Sequence, residues 1–213
     1  MPRPLVATGA LALLLAACTP PGLSMNNTGE ATPAAKQSQR NPAPRQAYRL
    51  TMTIENAPGP FAQMVGLAQY DVANTECLRP PKDNPGGYSS PVPTEDVEFP
   101  LKKIGENRYE TILYADQILD EDYTGRGLCR WKLIQWRVRM RAHGAAEENV
   151  VTPSISEDKI LAGGSETVYF FRETYGRISR FPDFGQPDRS KMAATVQDSD
   201  LFVIRIEARK EAP

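Results

Sequence analysis

CRWKLIQWRVRMR, residues 129–141, alternates as an extended strand would. Ile134, Trp136, Val138 and Met140 fall on one side, and Gln135, Arg137, Arg139 and Arg141 on the other. A period of two with one apolar side predicts a half-buried β-strand. Trp131 and Leu133 interrupt the polar side, so the first part of the strand is expected to be covered on both faces. Cys129 at its start can tie it to a distant segment, and the most acidic loop of the chain runs into it.

The same alternation recurs on both sides of this stretch. In residues 48–55, Tyr48, Leu50, Met52 and Ile54 oppose Arg49, Thr51, Thr53 and Glu55. In residues 201–209, Phe202, Ile204, Ile206 and Ala208 oppose Arg205, Glu207 and Arg209. Residues 61–72 read as a further strand, with Gly66 as a bulge or a point of close approach. The turn-forming residues 56–60 before it suggest that the first two strands pair as a hairpin. Residues 97–104 and 108–114 suggest a second hairpin over Gly105–Asn107, and residues 167–172 an aromatic strand. Ser156 can cap one helical turn that Gly163 and Gly164 would end. With 19 prolines, which suit neither helix interiors nor central strands, the chain is expected to be all-β. The architecture predicted is an antiparallel β-sandwich of about seven strands, with long loops and at most one short helix.

The amino terminus carries an address. Arg3 precedes an apolar run from Leu5 to Leu15, too short to span a bilayer, and the small residues Ala16 and Ala17 follow. Leu15-Ala16-Ala17-Cys18 matches the bacterial lipoprotein signature, in which the Cys18 thiol takes a diacylglycerol, the signal is cut before it and the new amine is acylated. Residues 1–17 are therefore read as a signal peptide. Several acyl chains, at about 0.8 kcal/mol per buried methylene, anchor stably. Thr19 follows the cysteine where an aspartate would suggest inner-membrane retention, so an outer-membrane lipoprotein facing the periplasm is expected. Residues 18–47, rich in Pro, Ala, Ser, Thr, Gln and Asn, read as a flexible tether with a reach of about 30 Å. Residues 48–213 are left for a single domain, long enough for a real core.

With Cys18 acylated, Cys77 and Cys129 remain, and an oxidising compartment favours their pairing; two buried free thiols are the alternative. The formal net charge of −1 lacks the basic excess of a nucleic-acid binder. Catalytic signals are weak. His143 is the only histidine and sits in turn-like sequence, and Ser165 in GGSET lacks the second glycine of a nucleophile elbow. Asp120, Asp122 and Thr124 resemble the opening of a calcium loop, but Trp131 stands where the bidentate glutamate belongs. Paired carboxylates also suit glycosidases, yet nothing places a second one across a cleft. No enzyme activity, cofactor or metal is expected.

A protein partner is expected instead. Asp116, Asp120, Glu121 and Asp122 supply charge, Tyr123 a rigid aromatic anchor, and Arg137 and Arg139 a basic stripe nearby. The bland alternatives are a solvated acidic loop, and arginines that deter edge pairing. The long Cys77 loop, residues 74–96, is the second choice of surface.

ENAPGPF (55–61), AQYDV (68–72) and DEDYTGRGLCRW (120–131), together with the lipoprotein signature, resemble a group of small bacterial lipoproteins. Some similar proteins are encoded beside antibacterial phospholipase toxins delivered by type VI or related secretion systems, and serve as periplasmic immunity proteins. The resemblance implies an anchored inhibitor that binds and blocks a secreted toxin, a lipase in the similar systems. A structural lipoprotein of envelope assembly or secretion machinery is the competing reading. The anchor is tested by Cys18→Ser, which is expected to move the protein from the membrane fraction to the soluble periplasmic fraction. Unchanged membrane fractionation would contradict it.

Overall fold

The computed structural model describes residues 37–78 and 92–212. The signal peptide, Cys18 and most of the tether lie outside these residues, as does the middle of the Cys77 loop, residues 79–91.

Two antiparallel sheets pack into a sandwich-like fold. The strands are β1 (Ala47–Glu55), β2 (Gln63–Val72), β3 (Thr94–Phe99), β4 (Lys102–Gly105), β5 (Arg108–Tyr114), β6 (Trp131–Arg141), β7 (Ser154–Ser156), β8 (Ser165–Phe171) and β9 (Leu201–Lys210). One sheet has the order β4-β5-β1-β9-β8 and the other β3-β2-β6-β7. The described chain is thus all-β, with nine strands rather than about seven and one α-helix, α1 (Glu157–Leu161). Ser156 occupies the N-cap position of α1, but its hydroxyl bonds to the Asp158 side chain rather than to a helical N–H.

The alternating side chains fill the space between the sheets. Leu50 and Met52 of β1 and Phe202, Ile204 and Ile206 of β9 are fully buried in one cluster with Trp136, Val138 and Met140 of β6. Phe170 stacks on Phe202 with ring centroids 5.2 Å apart. Such a pair contributes about 0.5–1.5 kcal/mol beyond its buried area.

Three features depart from the local sequence reading. First, β1 and β2 do not form a hairpin. β1 lies between β5 and β9, while β2 lies between β3 and β6, so residues 56–62 cross from one sheet to the other. Alternation reports which side of a strand is buried, not which neighbour it hydrogen-bonds. Second, residues 97–104 are not one hairpin arm. β3 ends at Phe99 in one sheet and β4 begins at Lys102 in the other, with Pro100 between them; β4 and β5 make the hairpin.

Third, β6 carries a bulge. Gln69 faces Gln135, but the next residue, Tyr70, faces Leu133, leaving Ile134 as the extra residue. Leu133 is thereby turned into the core and Ile134 is only half-buried, the reverse of the simple alternation. This accounts for the interrupted polar side at Trp131 and Leu133: the strand changes phase there. Gly66 marks close approach and not the bulge. A Cβ on it would sit 2.9 Å from the Phe99 carbonyl oxygen and 3.3 Å from the Trp136 indole nitrogen.

The bulge orders the cost of two neighbouring substitutions. Leu133→Ala is expected to lower stability by about 2–5 kcal/mol, as for a fully buried leucine. Ile134→Ala should cost about 1 kcal/mol. Denaturant unfolding of the two variants measures both, and a larger loss at Ile134 would contradict the register.

Candidate functional site

The two ends of β6 differ in kind. At its start, Cys77 and Cys129 form a disulfide, with an S–S distance of 2.03 Å and Cα atoms 5.2 Å apart. It closes a loop of 52 residues, for which chain entropy gives at most about 4 kcal/mol. Around it lies a second small core of Val72, Cys77, Tyr123 and Cys129, with Leu78 and Trp131 packed against it.

The acidic loop, expected as a docking face, is part of this second core, and its side chains are turned largely to that core and to backbone groups. Tyr123 is only 8% exposed, so it offers a partner almost no area. Its ring meets Trp131 edge to face, and its hydroxyl donates to the Leu119 carbonyl at 2.6 Å. The carboxylates hold backbone. Asp116 accepts from the N–H groups of Arg45 and Gln46 at 2.9 and 3.0 Å. Asp120 accepts from the Trp131 N–H at 2.8 Å. Asp122 accepts from the four N–H groups of Thr124, Gly125, Arg126 and Gly127 at 2.7–3.1 Å. Gly125 and Gly127 make that wrap possible, with φ of 77° and 108°. Glu121 joins the loop to its return through a bridge with Cys129. Oxygens already bonded in this way favour loop closure over metal ligation or recognition.

The last part of the expected tether is held by the same loop. Residues 37–46 run along the domain surface: Arg40 bridges Ile118, the Asn41 N–H donates to the Gln117 carbonyl, and Leu119 N–H donates to the Gln39 carbonyl. Composition pointed to a free segment because it has few apolar side chains. The docking uses main-chain groups, which every residue but proline supplies in full.

At the other end of β6, Arg137, Arg139 and Arg141 form one wall of an open cleft of about 770 Å³. Residues 146–152 and the segment from Ile178 to Phe184 make the rest. Arg137 pairs with Asp96 and donates to Gln69, and Arg141 donates to Gln63 at 3.0 Å. Arg139 and Arg180 have no side-chain hydrogen bond or ion pair among the described residues.

The segment opposite overlaps a loop, residues 181–191, whose sequence is rich in Pro, Gly and charge. It carries Ile178, Phe181 and Phe184, which are 74%, 80% and 62% exposed. Single exposed apolar side chains are common, but three large ones on the rim of the same cleft make a patch of the kind that marks an interaction surface. The loop that displays them is pinned at both ends. Asn149 N–H donates to the Arg177 carbonyl at 2.6 Å and Ser179 N–H to the Glu147 carbonyl at 3.1 Å. Asp183 N–H donates to the Val150 carbonyl at 2.9 Å, and Thr152 N–H to the Asp183 carbonyl at 2.7 Å. Gly185, at φ 66°, lies so close to the core that a Cβ would fall 2.5 Å from Val168. The signal for this site was the run RISRFPDF, in which three large apolar residues recur every third position, as on one helix face, while Pro182 between them rules out the helix that would bury them.

His143 sits at the end of the cleft strand. Its Nδ1 lies 2.7 Å from the buried Glu148 carboxylate, which also accepts from the His143 and Gly144 N–H groups. These donors hold the Glu148 carboxyl below its ordinary range. The pair closes the turn after β6. Among the described residues, no three His, Cys, Asp or Glu side chains gather as metal ligands.

Asp122 gives a pH dependence. The Gly127 N–H, followed by those of Gly125, Thr124 and Arg126, holds its carboxyl below the ordinary aspartate value of 3.8, against a weaker opposing effect of desolvation. A lowered folded-state pKa contributes stability above the ordinary value that is lost as pH falls through the folded one. The wild type is therefore expected to melt higher than Asp122→Asn near neutrality, with the gap closing below pH 3.8. Thermal melts across that range measure it, and a gap constant with pH would contradict it.

Comparison with protein-family models, curated proteins and solved structures finds no match to this chain.

Proposed function

We propose that this chain is a lipid-anchored periplasmic binding protein that blocks a secreted antibacterial enzyme, and that the cleft beside Arg139 is its contact face. The observation that carries the reading is the rigid display of Ile178, Phe181 and Phe184 next to the arginine side of β6. Burying an Ile or Phe side chain that is otherwise exposed is worth about 1.5–3 kcal/mol. Because the loop is already held by backbone hydrogen bonds, little further ordering entropy opposes binding. Aromatic anchors beside arginine are the side chains that dominate protein interfaces. The identity of the target as a toxin, and as a lipase in particular, rests on the resemblance of the sequence to immunity lipoproteins.

Anchoring suits this role. Gln37 lines the small hollow at the disulfide end of the domain together with Cys129 and Trp131. Arg141 is ten residues further along β6, a distance of about 33 Å at the usual strand rise. The contact face thus lies far along the domain from the point where the membrane-linked segment joins it.

The test needs a candidate target, and any gene for an exported enzyme that adjoins this one supplies it. Cells making the lipoprotein should survive that enzyme, and an inactive form of it should co-elute with the purified domain. Phe181→Ala with Phe184→Ala should weaken the complex by about 2–4 kcal/mol while melting stays near wild type, because both rings are exposed. Killing of protected cells together with the absence of any complex would overturn the proposal.

A further inference from the structure

We infer that the cleft takes an acidic segment of the partner protein, one that carries carboxylates between aromatic or aliphatic side chains, and not the surface of an anionic bilayer. This rests on the reading of the domain as a partner-binding module and adds the chemistry of what enters it.

Charge gives the sign. Four arginines and two glutamates line the cleft. Glu148 is committed to His143 and the turn N–H groups, and Arg137 to Asp96. The groups left for a ligand are the guanidinium groups of Arg139 and Arg180, with Arg141 bonded only to a neutral glutamine, against the single carboxylate of Glu147, so the cleft keeps a net positive charge. Spacing gives the form. Arg137, Arg139 and Arg141 occupy alternate positions on one face of β6, a repeat of about 6.6 Å. Alternate residues of an extended partner segment repeat at the same distance, so successive carboxylates can meet successive guanidinium groups. Shape decides between the two anionic surfaces. A cleft with apolar side chains on its rim admits a protruding segment, whereas a bilayer presents a plane. Phe181 and Phe184 then receive the apolar side chains that interleave with the carboxylates.

The probe is a soluble copolymer of glutamate and tyrosine, with a lysine–tyrosine copolymer and phosphatidylglycerol vesicles as the contrasting arms. The wild-type domain should bind the glutamate copolymer, more weakly as salt rises, and neither of the other two. Arg139→Gln with Arg180→Gln should weaken that binding by about tenfold or more with unchanged melting. Phe181→Ser should weaken it without altering its salt dependence. Binding of vesicles that is lost in Phe181→Ser would overturn the inference in favour of a membrane surface. No binding of the glutamate copolymer, or equal binding by the double glutamine variant, would overturn it outright. These outcomes do not depend on the target enzyme of the proposed function. If that enzyme binds but the arginine variants do not weaken it, the acidic segment fails and the inhibitor reading stands.

Discussion

The antiparallel pairing of β2 with β6 is the constraint on which the rest of this structure depends. It carries Trp136, Val138 and Met140 into the core, and the pleat then leaves Arg137, Arg139 and Arg141 on the outer face. A shift by one residue would exchange the two sets, so core and basic wall are fixed by one register. The bulge at Ile134 sets the register of the first part of the strand, and Gly66 lets β2 and β3 close over the Trp136 ring.

From this strand the molecule divides its polar chemistry. At the start of β6 the acidic side chains serve the fold. Asp116 holds the incoming segment, Asp120 holds the strand's first N–H, and Asp122 holds its own loop. The disulfide staples that assembly onto the residues after β2. At the other end the situation is reversed: backbone groups hold the loop, and the side chains are left facing outward. Rigid backbone with uncommitted large side chains is the arrangement that loses least entropy when a partner arrives.

The fold class was legible because alternation is a local property. β1, β6 and β9 each show it over six or more residues, and a pair of cysteines needed only the right compartment to be joined. Strand order was not legible, since β1 and β2 look like a hairpin over residues 56–60 and only the competition of β5 and β9 for both edges of β1 excludes it. The residues singled out in the sequence part company in the structure. Arg137 and Arg139 do face a cleft, but Tyr123 and the acidic residues looked free only because a sequence does not show which main-chain donors will reach them. Ile178, Phe181 and Phe184 were missed for the opposite reason. In a sequence, apolar residues imply burial, and exposure becomes visible only once the backbone around Gly185 is known to be held against the core.

The central claim is that one end of β6 is built for stability and the other for binding. Amide hydrogen exchange of the domain, alone and in complex with an inactive form of the target enzyme that the proposal requires, tests this directly. The account predicts new protection in residues 176–186 and in β6 around Arg139, with the exchange of residues 116–127 unchanged by the partner. Protection confined to residues 116–127, with none at the aromatic loop, would contradict it.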